Sequence, residues 1–390
     1  MSESFLDIGT TVSILKPELD DLFTRFDQLG YQVVGPKAKD HTIIHTDLNT
    51  AADLPRGYTS HQEPGKYHLR QTGHQKYFGV TTGPQSWKQY FFPPKSELMK
   101  FHQADGDHSA WTLEESSVDA PSYAMVGVRP CDLAAIEIQD KVFMREDWCD
   151  PIYRSRREKA LIVAVNCLQP CGTCFCASMG TGPKAQGGFD LCLTELENTF
   201  LVEIGSEAGR MVINDPNISW QPASAFLLNT ARKGLEAARA KMGRELPEPE
   251  ALQEQLLVNL DQPKWDEIAS RCLNCSSCTQ VCPTCFCWDV TDVTSLPIST
   301  TARVRQWDSC FNPDYSYVAH GNTRPNTRAR YRQWLTHKFA SWYAQFDTSG
   351  CVGCGRCITW CPAGIDHVKE IAAIRFADLH ETESQEGALS

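Results

Sequence analysis

Two cysteine runs in the C-terminal third constrain this chain more than any other feature. Each run has the spacing C-x2-C-x2-C-x3-C and ends before a proline. The runs consist of Cys272, Cys275, Cys278 and Cys282, and of Cys351, Cys354, Cys357 and Cys361. In bacterial ferredoxins, the first three thiolates of such a run bind one 4Fe-4S cluster while the fourth binds the neighbouring cluster. The repeated spacing therefore predicts two 4Fe-4S clusters.

The predicted ligation is crossed, because each run lends its last cysteine to the cluster of the other run. One cluster is then bound by Cys272, Cys275, Cys278 and Cys361, and the other by Cys351, Cys354, Cys357 and Cys282. Structural zinc is the alternative, since four thiolates from C-x2-C pairs also bind zinc tetrahedrally. A zinc site of that kind needs two such pairs, whereas each run here has three evenly spaced cysteines and a displaced fourth.

Composition and charge exclude several classes of protein. The net charge is −11, whereas proteins that bind nucleic acid carry a basic surface that neutralises phosphates. The local basic stretch 321–332 is more typical of a solvated face or of a docking patch for an acidic partner. No apolar stretch approaches the length of a membrane-spanning helix. The sequence therefore predicts neither nucleic-acid binding nor a direct membrane span.

The 18 cysteines bear on the cellular compartment. Disulfide frameworks belong to short secreted domains, whereas this chain has 390 residues. Its first residues show neither the basic nor the apolar region of a signal peptide. We therefore expect reduced thiols and a cytoplasmic location.

Residues 1–215 are predicted to form an α/β domain. Near its start, apolar residues at helical spacing predict an amphipathic helix that ends at Gly30. The residues on its buried face are Leu19, Leu22, Phe23 and Phe26. Short strands follow at 31–35 and 41–45. The segment 51–111 is predicted to be mostly loops, with a helix near residues 96–102.

The later part of this domain has the pattern of a β-α-β unit. The apolar stretches 123–128 and 160–165 predict two strands, and residues 132–143 predict the helix between them. Cys131 and Cys167 each follow one of these strands. If the strands are parallel neighbours, both thiols lie at the carboxyl edge of the sheet, where open α/β sheets place their sites.

A third 4Fe-4S cluster is predicted at this edge. In an extended segment Cys174 and Cys176 point the same way, while Phe175 points into the core. The predicted ligands are Cys131, Cys167, Cys174 and Cys176. The alternative is that these cysteines are small buried apolar side chains, a common role for free cysteine.

Three further cysteines of this domain, Cys149, Cys171 and Cys192, are predicted to be buried apolar side chains. Cys171 is also an alternative to Cys167 or Cys174 as a ligand. The glycine-rich stretch 178–190 lacks the glycine spacings of dinucleotide-binding and phosphate-binding loops and leads into a strand. We therefore predict a loop that covers the cluster, with a flavin or nucleotide site as the alternative.

Residues 216–376 are predicted to form a mainly α-helical, ferredoxin-type dicluster domain, which makes the fold class of the whole chain α+β. A long insertion, 283–350, separates the two runs. Aromatic and apolar residues at helical spacing in this insertion predict a wall around the clusters. They are Tyr331, Trp334, Leu335, Phe339, Trp342, Tyr343 and Phe346. The tail 377–390 is predicted to be disordered.

Three more cysteines, Cys285, Cys287 and Cys310, lie in the insertion. The first two repeat the T-C-F-C motif of the N-terminal domain. These thiols either bind a further cluster together with a non-cysteine ligand such as Asp308, or they support the other clusters and the core. The sequence leaves both interpretations open.

No motif in the chain predicts a site for bond-making chemistry. The chain lacks a persuasive nucleotide fingerprint, a nucleophile elbow and an acid/base pair, and hydride chemistry would need a flavin or a nicotinamide. Iron–sulfur clusters transfer electrons. The residues therefore predict a non-catalytic electron-transfer subunit of an oxidoreductase.

The chain resembles the beta (iron–sulfur) subunit of cytoplasmic NAD(P)-linked NiFe hydrogenases, also called sulfhydrogenases. An electron-transfer subunit of anaerobic sulfite reductase is also similar. The resemblance covers roughly residues 120–370, whereas residues 1–118 match only loosely. It is carried by VRPCDLAAIEIQD, TCFCASMGTGP, GFDLCLTEL, CLNCSSCTQVCPTCFC, RQWDSC and CVGCGRCITWCPAGI.

The resemblance implies a heteromeric complex. In such complexes a flavin subunit exchanges hydride with NAD(P)H, the beta-like subunit relays single electrons, and a small cluster-bearing subunit passes them to a large NiFe catalytic subunit. The family pattern includes cysteines that match Cys131, Cys167, Cys174 and Cys176, as well as Cys285, Cys287 and Cys310. Cys171 lies outside that pattern. The alternative is an electron-transfer subunit of anaerobic sulfite reductase or of another cytoplasmic redox complex.

Overall fold

An eight-stranded mixed sheet with helices on both faces forms the larger part of the N-terminal half. The computed structural model describes residues 6–81, 83–104, 107–115, 120–296 and 299–375. The predicted tail 377–390 lies outside the described residues. The fold combines sheets and helices throughout, as the α+β prediction requires.

The strands, in chain order, are β1 Thr11–Leu15, β2 Gln32–Lys39, β3 Thr42–Asp47, β4 Tyr58–Glu63, β5 Lys66–Gln71, β6 Lys95–Ala104, β7 Asp107–Glu115, β8 Tyr123–Val128, β9 Leu161–Val165, β10 Leu191–Glu195, β11 Thr199–Ile204, β12 Gln221–Pro222, β13 Trp288–Thr294, β14 Thr300–Trp307, β15 Tyr317–Val318 and β16 Gly321–Asn322.

The helices are α1 Leu19–Gln28, α2 Lys88–Phe91, α3 Pro130–Phe143, α4 Pro151–Glu158, α5 Glu207–Ile213, α6 Ala225–Ala240, α7 Leu252–Val258, α8 Lys264–Arg271, α9 Ser277–Gln280, α10 Thr327–Thr336, α11 Trp342–Phe346, α12 Arg356–Thr359 and α13 His367–Arg375. A π-helical turn, His337–Ser341, joins α10 to α11. Short 3-10 turns occur at Lys16–Glu18, Ala51–Asp53 and Pro249–Ala251.

The main sheet has the order β12-β1-β11-β10-β9-β8-β2-β3. Its centre is parallel, because β2 pairs with β8, β8 with β9, and β9 with β10 in the same direction. Every residue of β9 and β10 is buried. Such continuous burial is expected of parallel strands that helices cover on both faces. On one face α1 and α5 pack on the sheet, and on the other face lie α2, α3 and α4.

Several local predictions are confirmed. Helix α1 buries its four predicted apolar side chains, and Gly30 follows it with a φ of 82°, a conformation that glycine adopts without strain. Strands β8 and β9 are parallel neighbours with α3 between them, so the predicted β-α-β unit is present. Cys131 and Cys167 therefore lie at the carboxyl edge of this sheet.

The prediction for residues 51–111 is wrong in two places. A hairpin of β4 and β5 occupies part of the expected loop region. The stretch predicted to be a helix near residues 96–102 belongs to β6, which pairs with β7 on one side and with β14 on the other. The β14 partner lies about 200 residues away in the chain, so local propensity carried no sign of this pairing.

The insertion between the cysteine runs is not purely helical either. Strands β13 and β14 leave the helical region and complete a four-stranded sheet of order β13-β14-β6-β7. Strand β12 likewise pairs with β1 at the edge of the main sheet. Backbone pairing therefore crosses position 215 in two separate sheets. The division into domains at this position stays a prediction.

A second hydrophobic core lies in the helical region that carries the two cysteine runs. It is built from α7, α8, α10, the π-helical turn and α13, together with Phe175 from the N-terminal half. Four residues of the predicted aromatic stripe are buried in it, namely Tyr331, Trp334, Leu335 and Phe339. Trp342 is buried in a smaller cluster against α3, whereas Tyr343 and Phe346 are only partly buried. Within the described residues, no helix has both the length and the apolar composition to cross a membrane.

Candidate iron–sulfur centres

The two cysteine runs adopt the same local backbone. In the first run Asn274 and Ser276 have positive φ angles of 54° and 64°, and in the second run Gly353 and Gly355 have φ angles of 65° and 77°. These residues occupy the same positions relative to the cysteines. Left-handed residues are uncommon outside glycine, so two matched pairs indicate a backbone shaped for a common purpose. The first three cysteines of each run are therefore carried on equivalent backbone turns.

The first-run group, which we define as Cys272, Cys275, Cys278 and Cys361, combines cysteines from both runs. Cys361 lines the same cavity as the three cysteines of the first run. Burial raises the pKa of the Cys278 thiol well above its ordinary value, and the Cys272 and Cys361 sulfurs add to this effect. The amide of Ile365 donates to Cys361 Sγ at 3.4 Å. Cys275 is exposed, so this group lies at the protein surface.

The second-run group consists of Cys351, Cys354, Cys357 and Cys282. Burial raises the pKa of the Cys351 thiol to about 12, and Cys354 and Cys282 add to this rise. Cys282 also raises the pKa of the Cys357 thiol, after burial and Cys354. Cys282 is itself buried. The structure thus brings Cys282 to the second run and Cys361 to the first.

A buried lysine approaches the second-run group. Lys338, only 5% exposed, places its Nζ 3.2 Å from Cys282 Sγ. The same ammonium donates to Thr284 Oγ1 at 3.1 Å and to the carbonyl of Gly350 at 3.3 Å. Burial alone would lower the pKa of Lys338, but the thiolates of Cys282 and Cys285 outweigh it and hold that pKa well above its ordinary value.

The N-terminal thiol group contains five cysteines, one more than the sequence predicted. They are Cys131, Cys167, Cys171, Cys174 and Cys176. The pKa of the Cys174 thiol is raised, and the largest cause is its hydrogen bond with Cys171. Burial and the nearby sulfurs of Cys171, Cys176 and Cys167 raise it further. Cys131 lies to one side, where its electrostatic neighbours include Cys176 and Cys354. The structure therefore adds Cys171 to the predicted set and places Cys131 at its border with the second run.

The N-terminal thiol group packs directly on the second run. The amide of Phe175 donates to the carbonyl of Gly353 at 2.8 Å, and Thr173 Oγ1 lies 2.7 Å from Thr359 Oγ1. At Gly355 an added Cβ would lie 2.6 Å from the backbone of Thr173, so only glycine permits this approach. The two groups of thiols are therefore neighbours across a close backbone contact.

A buried ion pair lies at this contact. Arg356 Nη2 is 2.9 Å from a carboxylate oxygen of Asp132, and both side chains are buried. Among the described residues, Arg356 Nε and Nη1 have no oxygen or nitrogen acceptor. The guanidinium lies beside Cys354 and Cys131, whose thiolates would stabilise its charge. Buried donors without an oxygen acceptor, facing thiols, fit cysteines that are deprotonated by a bound cluster.

The insertion thiols, Cys285, Cys287 and Cys310, lie next to the second-run group. Cys285 shares a hydrogen bond with Cys282, which lowers the pKa of the Cys282 thiol. Cys287 shares one with Cys310, which lowers the pKa of the Cys287 thiol to about 6. All three line one cavity together with His337 and Lys338. Asp308, the predicted non-cysteine ligand, does not line that cavity.

The thiol groups are not arranged as sites for a single ion. Among the described residues, no three His, Cys, Asp or Glu side chains are gathered closely enough to hold one metal ion. A cluster differs from such a site, because its thiolates bind different iron atoms.

Sequence reasoning missed two functional candidates, Lys338 and Arg356, and considered Cys171 only as an alternative ligand. Cys171 and Cys282 occupy equivalent places in a repeat, C-x-T-C-F-C, that is longer than the T-C-F-C motif. In both copies the threonine hydroxyl lies 3.2–3.3 Å from the cysteine sulfur. Lys338 and Arg356 could have been found from their surroundings in the sequence. Lys338 is a charged residue in an otherwise apolar stretch, and Arg356 lies between two cysteines of the second run.

Comparison with known proteins identifies the family. The model of the 4Fe-4S dicluster domain matches residues 271–365. Sulfhydrogenase 2 subunit beta of Pyrococcus furiosus is 32% identical over 359 residues, which cover 91% of this chain and 95% of that protein. No solved structure matches. The chain therefore belongs to the family of hydrogenase beta subunits, which are iron–sulfur subunits.

Proposed function

We propose that this protein relays single electrons between an NAD(P)H oxidoreductase subunit, which contains flavin, and the small and large subunits of a NiFe hydrogenase. The observation that carries the proposal is the continuity of its thiol groups. Cys354 neighbours Cys131 and Cys176, while Cys357 lines the same cavity as Cys272 and Cys278. A route of adjacent centres thus runs from the N-terminal half to the exposed surface at Cys275. The family membership supports a role in hydrogenase electron transfer.

We assign the ligands of two clusters to the first-run and second-run groups, with Cys361 and Cys282 exchanged between the runs. A third cluster is assigned to the N-terminal thiol group. Its ligands are drawn from Cys131, Cys167, Cys171, Cys174 and Cys176. When bound, such clusters accept and donate one electron at a time.

The surrounding residues have two roles in this proposal. Lys338 and Arg356 place positive charge against thiolates inside the protein, where charge interactions are strong because the local dielectric constant is low. Phe311, Tyr331 and Trp334 line the first-run cavity and give it an apolar wall. Solvent exposure and hydrogen bonds to sulfur both set cluster potentials, so these residues tune the route.

The partner assignment is tested by anaerobic copurification of the native protein. We expect flavin-containing and nickel-containing subunits in one complex, and NAD(P)H-dependent hydrogen production by that complex. The separated chain is expected to show neither NAD(P)H oxidation nor hydrogen production, since its sequence predicts neither a site for a hydride-accepting cofactor nor a nickel site. A sirohaem subunit in place of nickel would assign the chain to sulfite reduction instead.

The cluster assignment is tested by iron analysis of the full chain after anaerobic purification. Replacing Cys174 by Ala should remove about four iron atoms per chain, the content of one 4Fe-4S cluster. The matched control is Cys149→Ala, since Cys149 belongs to none of the thiol groups and its sulfur donates to the backbone carbonyl of Asp150 at 3.9 Å. Equal iron in both variants would refute a cluster in the N-terminal group. Comparison of Cys131→Ala with Cys171→Ala then identifies the remaining ligands.

A further inference from the structure

The cavity beside the insertion thiols has a volume of about 250 Å³. A single water molecule needs only ~10–15 Å³ of such volume, so the space accommodates a group of many atoms. Cys285, Cys287 and Cys310 line it. Arg324 and Lys338 also line it, so its wall is cationic and suits an anionic occupant.

The three thiols are held in place by the backbone around them. The amide of Asp308 donates to the carbonyl of Cys287 at 2.9 Å, which fixes the end of β14 against the C-F-C segment. Arg330, which is buried, donates from Nη1 to the carbonyl of Cys310 at 3.0 Å. Segments that are distant in the chain thus present their sulfurs to one space.

A cluster in this cavity needs a fourth ligand, and Asp308 is unsuitable. Its Oδ1 accepts from the amide of Ser309 at 2.7 Å and from Asn312 Nδ2 at 2.9 Å. Among the described residues that line the cavity, there is neither a carboxylate nor a fourth cysteine. His337 is the imidazole that lines it.

The local structure positions His337 for such a role. His337 begins the π-helical turn His337–Ser341, a rare conformation that is frequent at functional sites. Its ring packs against both Phe286 and Trp342, with centroid distances of 6.4 and 5.8 Å. The side chain of Gln345 lies next to the same ring. Imidazoles that bind metals usually have one nitrogen hydrogen-bonded to the protein and the other bound to the metal, and Gln345 is placed to supply the first of these bonds.

We propose that Cys285, Cys287, Cys310 and His337 bind a further 4Fe-4S cluster, with imidazole as the fourth ligand. This inference rests on the proposed electron-transfer function and adds one centre to its route. Cys285 is a near neighbour of Cys282, so the new centre adjoins the second-run cluster. Three thiolates and a neutral imidazole carry one negative charge fewer than four thiolates. Histidine ligation raises cluster potentials, so this centre is more easily reduced than the second-run cluster, which has four thiolate ligands.

The test uses the full chain, purified anaerobically and reduced stepwise. Pulsed electron paramagnetic resonance should show the large nitrogen-14 hyperfine coupling of a directly bound imidazole. That coupling should vanish in His337→Ala and persist in His320→Ala, an exposed histidine in the same insertion. His337→Cys should keep the iron of the parent protein, lose the coupling and lower the potential of this centre. Persistence of the coupling in His337→Ala would overturn the proposal.

Iron content separates this inference from the function on which it rests. Cys287→Ala should lose about four iron atoms relative to Cys149→Ala, while the signals of the other clusters persist. If Cys287→Ala loses no iron and those signals remain, only the additional centre is refuted. If the parent protein shows no cluster signal at all after reconstitution, the proposed function fails as well.

Discussion

The guanidinium of Arg356 lies 2.9 Å from the carboxylate of Asp132, and the side chains are 2% and 1% exposed. Arg356 stands between two cysteines of the second run, and Asp132 directly follows Cys131 in α3. One ion pair thus fastens the second-run group to the α/β sheet. It also places a permanent positive charge between two groups of thiols, because arginine is not deprotonated in proteins.

Replacing Arg356 by Met should lower the free energy of unfolding by about 3–5 kcal/mol, because Asp132 is left charged and unpaired in the interior. The double variant Arg356→Met/Asp132→Leu should recover much of this loss. Anaerobic urea unfolding measures the free energy of unfolding of the single and the double variant. The exposed pair Arg232–Glu236 is the control, and Arg232→Met should cost less than ~1 kcal/mol. A double variant as unstable as the single one would contradict this account.

The exchange of Cys282 and Cys361 predicts which signal each substitution affects. Cys282→Ala should alter the paramagnetic signal that depends on Cys354, and Cys361→Ala the signal that depends on Cys275. Either loss should also loosen the region that holds both runs, since metal binding and folding are coupled. Each signal is assigned beforehand with Cys275→Ala and Cys354→Ala. If Cys282→Ala disturbs the Cys275-dependent signal alone, each run closes on its own cluster.

Lys338 should raise the reduction potential of the cluster that Cys282 binds. Reduction adds negative charge, so loss of the ammonium in Lys338→Met should lower that potential. A hydrogen bond to a charged group contributes ~1.5–3 kcal/mol, which corresponds to roughly 60–130 mV for one electron. Because the bond is present in both oxidation states, this range is the upper limit of the expected shift. Redox titration followed by paramagnetic resonance measures the shift. Lys338→Arg retains the charge and should change the reduction potential less. Lys39→Met, at the exposed end of β2, should leave the potential unchanged.

His45 should make stability depend on pH. Burial, followed by the charge of Arg356, lowers the pKa of His45 to about 3. The unfolded chain takes up this proton below pH ~6.5 and the folded protein does not, so stability falls as pH falls through that range. His45 stacks on Trp87 with centroids 4.2 Å apart, an arrangement that phenylalanine preserves.

We therefore compare the parent protein with His45→Phe at pH 7.5 and pH 5.5 in anaerobic urea unfolding. Between these pH values, the parent should lose about 1 kcal/mol more stability than the variant. His337 and His367 have pKa values lowered in the same direction, and taking the difference between proteins removes their contribution. An identical loss in both proteins would show that His45 does not titrate as described.

Much of the fold followed from local patterns. Helix α1 and the unit of β8, α3 and β9 were predictable, because apolar periodicity reports directly which face of an element is buried. The strand β6 was not, since its partner β14 lies beyond the first cysteine run. Pairing between distant segments depends on the tertiary fold, and local propensity does not encode it.

The same division holds for the candidate site. By itself, the sequence determined the cysteine spacing, the proline after each run and hence the type of cofactor, because a short run of thiolates must wrap one cluster. Only the tertiary structure decided that Cys171 joins the N-terminal thiol group and that Lys338 reaches Cys282. It also decided that Arg356 pairs with Asp132 and that His337 lines the same cavity as the insertion thiols. These relationships join segments up to 224 residues apart. The spacing of cysteines identifies ligands that lie close together in the sequence. Ion pairs and ligands contributed by distant segments form only when the chain has folded, so the spacing does not reveal them.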